Sequence, residues 1–132
     1  MDPAVAAVFE AYPAEMRDRL MALRSLIQEV AADTPDVGPL EETLKWGQVS
    51  YLTSESGSGT TVRIGHDKAS GLPAMFVNCQ TTLLGQYRAL YPDEFAYDGN
   101  RGVVIGPDAD RAALAHMIAL ALSYHRSKKS GA

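Results

Sequence analysis

A chain of 132 residues with a formal net charge of -4 and a pI near 5.3 fits one domain and lacks the basic excess that general nucleic-acid binding demands. Hydrophobic residues make up 46% and charged residues 21% of it, a globular balance that argues against disorder across the whole chain. A domain of this size buries roughly two-thirds of the surface its unfolded chain exposes, so folding requires neither a disulfide nor a structural metal.

The single cysteine, Cys79, rules out an intrachain disulfide and suits a reducing cytoplasm. The first residues carry acids and no early basic cluster, so they are not expected to act as a secretory signal. No apolar run approaches the roughly 20 residues that span a bilayer, and no membrane partner is expected. Arg126, Lys128 and Lys129 form a short basic tail, read as a solubilising helix end set against the negative end of the helix dipole.

Asp2-Pro3 reads as a helix start, because Asp caps and Pro fits the first turn. That helix is expected to reach about Ala11. After Tyr12-Pro13, the residues Met16, Leu20, Leu23, Ile27 and Val30 recur at helical steps and form one apolar stripe. Thr34-Pro35 and Gly38-Pro39 end it.

The middle of the chain reads as β. Thr43 to Lys45 and Val49 to Thr53 are expected strands around a Trp46-Gly47 bend. Ser54 to Gly59 reads as a flexible turn. Thr60 to Gly65 alternates, with Val62 and Ile64 on one face and Thr61 and Arg63 on the other. Ala74 to Cys79 is mostly apolar and is expected near the sheet centre. The short connections favour antiparallel neighbours.

Thr81 to Leu90 returns to helix. Phe95 to Tyr97 and Arg101 to Ile105 flank Asp98-Gly99-Asn100, a strong hairpin turn, which predicts that Tyr97 and Arg101 lie across from each other or nearly so. The last helix is expected from about Ala109 to Ser127. The whole reads as one α+β domain over residues 1–132. Its architecture is a two-layer sandwich, a mainly antiparallel sheet with helices packed on one face. The other face stays partly open and is the natural place for a ligand.

Trp46, Tyr51, Arg63, Asn78 and Arg101 are the candidate binding residues. Each has a polar tip and is expected on the sheet, a set suited to a small anionic or aromatic ligand. Arg101 is expected to lay its guanidinium on an aromatic ring, Tyr97 or Trp46. The plainer alternative is a sheet core in which Trp46 and Tyr51 satisfy their polar ends locally. In that case Trp46→Ala removes roughly 3–5 kcal/mol of stability. A protein partner in place of a small ligand also fits, and the sequence does not set the oligomeric state.

Chemistry-bearing residues are sparse. His116 and His125 are nine positions apart on one helix and point to opposite faces, so they do not make a helical zinc pair. Cys79 has no local motif and reads as a small buried core residue. Ser56 and Ser58 lack both a nucleophile elbow and a phosphate-loop ending. His66-Asp67-Lys68 reads as a surface turn, with an acid–base or anion-binding group as the alternative. A small enzyme acting through His66 or Cys79 stays open as an alternative to a non-catalytic binding domain.

The Pro13 to Val30 helix, the Trp46-Gly47-x-x-x-Tyr51 segment and the strand pair with Lys68 between its members follow one another in order. The Asp98-Gly99-Asn100-Arg101 hairpin and a final helix complete the series. In this the chain resembles the YdhG-like domain family, small bacterial proteins with a domain of unknown function. That family often has proline two residues after the glycine, where this chain has Val49, so the local bend is expected to differ. The resemblance implies a frataxin-like α+β fold in a cytoplasmic protein and assigns no catalytic residue. Some members are described as iron chaperones that deliver ferrous iron to iron–sulfur cluster assembly. On that alternative the metal-holding residues are Asp33, Asp36, Glu41 and Glu42, oxygen donors at the helix-to-strand junction that suit a hard cation. Glu15 and Asp18 share a helix face nearby, but Arg17, Arg19 and Arg24 interrupt them.

Overall fold

The computed structural model describes residues 1–126. Lys128 and Lys129, and the expected end of the last helix at Ser127, lie outside the described residues. The elements run α1 (Pro3–Glu10), α2 (Ala14–Asp33), β1 (Glu41–Lys45), β2 (Gln48–Leu52), β3 (Val62–His66), β4 (Pro73–Phe76), α3 (Leu83–Leu90), β5 (Ala96–Asp98), β6 (Gly102–Val104) and α4 (Arg111–Leu122). Asp2 caps α1 by accepting from the Ala4 amide at 2.7 Å, as the Asp-Pro start predicts. In α4 the cap is Asp110, which accepts from the Ala112 amide at 2.9 Å, so the helix begins at Arg111, two residues later than the expected start near Ala109.

The six strands form one antiparallel sheet in the order β1-β2-β3-β4-β6-β5. β4 is central, as its apolar run implied. Directly paired residues share a face. One row is Leu44, Val49, Ile64, Met75, Val103 and Tyr97, and every one of these packs in or against the hydrophobic core. Val5 and Phe9 of α1, the apolar stripe of α2, and Leu114, Met117, Ile118 and Leu122 of α4 belong to the same core. The helices therefore cover one face. The next row, Thr43, Ser50, Arg63, Phe76, Gly102 and Asp98, lies on the opposite face, and of these residues none joins that core. This is the expected two-layer α+β arrangement.

Three local expectations are corrected. Trp46-Gly47 makes the expected reversal between two strands, as the two-residue tip of the β1–β2 hairpin closed by the Lys45–Gln48 pair, but this places Trp46 off the sheet surface where it was expected. Both residues have positive φ, 56° and 78°, the signature of the turn whose twist matches the flanking strands. The indole consequently projects from the fold and is 93% exposed.

Ser54 to Gly59 is not a free linker. The last carbonyls of a helix need donors. Ser58 Oγ donates to the Leu122 carbonyl at 2.7 Å and the Thr60 amide to Ala121 at 3.0 Å, which binds this segment to the end of α4. Arg126 closes the same corner with an ion pair to Asp36 at 2.8 Å.

The third correction concerns the β5–β6 hairpin. It turns on Gly99, Asn100 and Arg101, so Tyr97 faces Val103 and Arg101 sits in the turn itself.

Candidate functional site

Tyr51 lies on the helix face and is fully buried. Its hydroxyl donates to Glu42 Oε2 at 2.7 Å, while Arg24 of α2 holds the same carboxylate in a fork, Nε at 2.6 Å and Nη2 at 3.1 Å. Burial and the bond to Glu42 push the Tyr51 hydroxyl well above its usual range. Burial alone would raise the Glu42 carboxyl, but the bonds from Arg24 and Tyr51 outweigh it and hold the group below the usual carboxylate range. Tyr51 is thus a link between helix and sheet, and it does not share a pocket with Trp46 as the sequence suggested.

Arg63 and Arg101 are brought together on the open face through Phe76. Arg63 is the cross-strand neighbour of Phe76, and the Arg101 guanidinium lies over the same ring, 5.3 Å from its centroid. The aromatic partner expected for Arg101 was Tyr97 or Trp46. Arg88 takes the Tyr97 ring instead, at 5.0 Å, and Trp46 stands at the hairpin tip. Gly102 leaves room for Asp98 across the ladder, since a Cβ there would fall 2.9 Å from Asp98 Cβ, and it would also touch the Phe76 ring at 3.4 Å. Asn78 is exposed just beyond β4, and its side-chain oxygen accepts from the Gln80 amide at 2.9 Å.

The arginines sort by partner. Arg24, Arg111 and Arg126 pair with carboxylates. Arg17, Arg19 and Arg88 donate to backbone carbonyls. Among the described residues, Arg63 and Arg101 alone have neither. Arg63 Nε is buried without any hydrogen-bond acceptor, a state that is unfavourable for a charged donor.

A cavity of about 300 Å³ opens at this place, lined by Gln48, His66, Asp67, Lys68, Ala69, Phe76, Asp98 and Arg101. Arg63 stands beside it, next to Phe76 in the ladder. Asp67 faces its own turn, where Ser70 Oγ and the Ser70 amide donate to Oδ2 at 2.6 and 2.9 Å, and these bonds hold its carboxyl low. The cavity therefore offers Arg101 and Lys68 beside the Phe76 ring, with Asp98 also in its lining. A larger cavity of about 500 Å³ lies beside Tyr12, Met16 and Leu72, but its one arginine, Arg19, already donates to the Ile105 carbonyl at 3.1 Å. Phe76, Gln48 and Asp98 were not among the predicted site residues, whereas Lys68 belongs to the His66-Asp67-Lys68 turn weighed as an anion-binding group. Phe76 was hidden because β4 is apolar on both faces. Its place two residues before Asn78, on the alternation of that strand, was the available signal.

The other candidates stay apart. Cys79 is exposed, not a core residue, because β4 ends at Phe76 and the chain turns outward after Val77. His66 pairs with Pro73 at the opposite end of that strand, and the stretch from Pro73 to Val77 alone spans about 13 Å. The two therefore make no nucleophile–base pair. The His66 ring meets Tyr12 Oη at 3.2 Å, and His116 meets Tyr91 Oη at 2.6 Å.

Of the oxygen ligands considered for iron, Glu42 is held by Arg24 and Tyr51, Asp36 by Arg126, and Glu41 by Ser54 Oγ at 2.5 Å, while Asp33 is exposed at the end of α2. No group of three or more metal-binding side chains comes together among the described residues. No described helix is long and apolar enough to cross a membrane. No family model matches the chain, and no curated protein or solved structure is significantly similar to it.

Proposed function

We propose that this chain is a non-catalytic binding domain whose open sheet face holds a small anionic ligand. Arg101 and Arg63 supply the charge, and Phe76 is the floor beneath it. The observation that supports this reading is the pair of guanidiniums without protein acceptors beside one aromatic ring, in a protein whose other arginines all find oxygens. A guanidinium is pre-shaped for two parallel bonds to a carboxylate or phosphate. Stacking on Phe76 fixes the plane of Arg101 before the ligand arrives. We place the domain in the cytoplasm, where an exposed lone thiol such as Cys79 stays reduced. We retain the YdhG-like reading of its sequence.

The test is amide chemical-shift mapping with inorganic phosphate and benzoate. Arg101→Met keeps a stem of similar length over Phe76 and removes the charge. Losing one charged hydrogen-bond partner of about 1.5–3 kcal/mol weakens binding roughly 10- to 100-fold. Shifts around Gln48, Phe76 and Arg101 in the parent, lost in the variant, are expected. An unperturbed open face in the parent defeats the reading.

A further inference from the structure

The cavity beside Phe76 holds opposite charges that do not meet. Its cations are Arg101 and Lys68, and its lining also carries Asp67 and Asp98. Asp67 is engaged by its own turn, where the Ser70 amide and hydroxyl both donate to Oδ2. Asp98 has no such partner. Among the described residues its carboxylate makes no hydrogen bond and no ion pair. Arg101 is close in the chain, and its amide donates to the Asp98 carbonyl at 3.4 Å across the hairpin turn. Its guanidinium nevertheless lies over the Phe76 ring and not on the carboxylate. The ladder puts Asp98 and Phe76 on one face, since Gly102 pairs with Asp98 on one side and with Phe76 on the other. A Cβ at Gly102 would meet Asp98 Cβ at 2.9 Å and the Phe76 ring at 3.4 Å, so both flank that bare position.

An unpaired carboxylate repels a simple anion bound beside it and attracts a cation. A ligand that carries both charges answers both sides of the cavity. Resting on the anion-binding reading above, we propose that the ligand is a small amino acid in its zwitterionic form. Its carboxylate lies against Arg101 and Lys68, and its ammonium donates to Asp98. The side-chain amide of Gln48, also in the lining, serves either end, since it both donates and accepts. A volume of about 300 Å³ is at the small end of ligand pockets and suits a molecule of this size. Asp98 before Gly99 also favours the turn itself. Asparagine favours the same turn without the charge, so Asp98→Asn separates the two roles.

Butyrate, its α-amino derivative and its γ-amino derivative share one carbon chain and differ in the ammonium. Dissociation constants come from amide shifts near neutral pH in the parent and in Asp98→Asn. One charge-assisted hydrogen bond is expected to make the better of the two amino acids bind the parent about tenfold more tightly than butyrate. In Asp98→Asn that preference should fall towards one, while butyrate binds as well as before or better. Thermal melts report whether the variant folds, and if it does not, Asp98→Ser carries the same test. A parent that binds butyrate at Arg101 as tightly as either amino acid overturns the zwitterion while the anion site stands. A preference for the amino acids that survives loss of the Asp98 carboxylate overturns it too. If no carboxylate perturbs the amides around Arg101, the anion site itself fails and the amino acid with it.

Discussion

Glu42→Gln tests the junction between the helical layer and the sheet. The carboxylate accepts from Arg24 twice, at 2.6 and 3.1 Å, and from the Tyr51 hydroxyl at 2.7 Å. The Arg24 and Glu42 side chains are only 19% and 14% exposed, so solvent screens the pair weakly. The amide keeps an oxygen for Tyr51 but leaves the Arg24 charge uncompensated. Breaking one side of a buried pair costs about 3–5 kcal/mol, and a single charged hydrogen bond is worth about 1.5–3. Residual exposure and the retained Tyr51 bond favour the lower figure, about 2–3 kcal/mol. Urea melts at pH 7 measure it. The parent should also lose this increment in acid. The folded-state carboxyl of Glu42 lies below its unfolded value, so the increment is complete above the unfolded pKa of about 4.3 and fades as pH falls through the lower folded value. The variant should lack that part of the pH dependence. A loss below about 0.5 kcal/mol at pH 7, or an unchanged acid limb, would refute the structural role of the pair.

Other perturbations probe the corrected elements. Trp46→Asn places a residue tolerant of positive φ before Gly47, so the domain should gain about 0.5–1 kcal/mol in a denaturant melt; a loss above about 1 kcal/mol would mean that the indole packs. Gly59→Ala puts a Cβ 2.3 Å from the Leu122 carbonyl oxygen and should lower stability by roughly 2–3 kcal/mol in thermal melts, whereas a change under about 1 kcal/mol would mean that the serine-rich loop is not fastened to α4. Anaerobic calorimetry with ferrous iron should show no saturable site, because Glu42, Asp36 and Glu41 already have protein partners. Saturable binding that disappears when Asp33, Asp36, Glu41 and Glu42 are neutralised together would reverse this.

The apolar stripe of α2 and the alternation in β3 made the layers and the open face legible. Val62 and Ile64 do face the helices, and Arg63 does face away. The alternation failed at β4, whose residues Pro73 to Phe76 are buried on both faces, so the sequence showed a central strand but not that Phe76 belongs to the open side. Trp46 misled for a different reason. A lone tryptophan suggests burial, but the following Gly47 permits a tight reversed turn, and turn geometry overrode hydrophobicity. Tyr51 was placed correctly on a strand and wrongly in a pocket, because its partners Glu42 and Arg24 come from separate elements. The same limit hid the contact of Arg101 with Phe76, which joins a hairpin turn to a strand 25 residues earlier in the chain.

The central claim is that an anion sits on the Phe76 ring between two unpaired guanidiniums. Nuclear Overhauser contacts between bound benzoate and the protein locate it directly. Contacts from the benzoate ring to the Phe76 ring protons and the Arg101 side chain are expected, and they should vanish in Arg101→Met. Benzoate that binds with contacts elsewhere, or that shows none to Phe76, contradicts the claim.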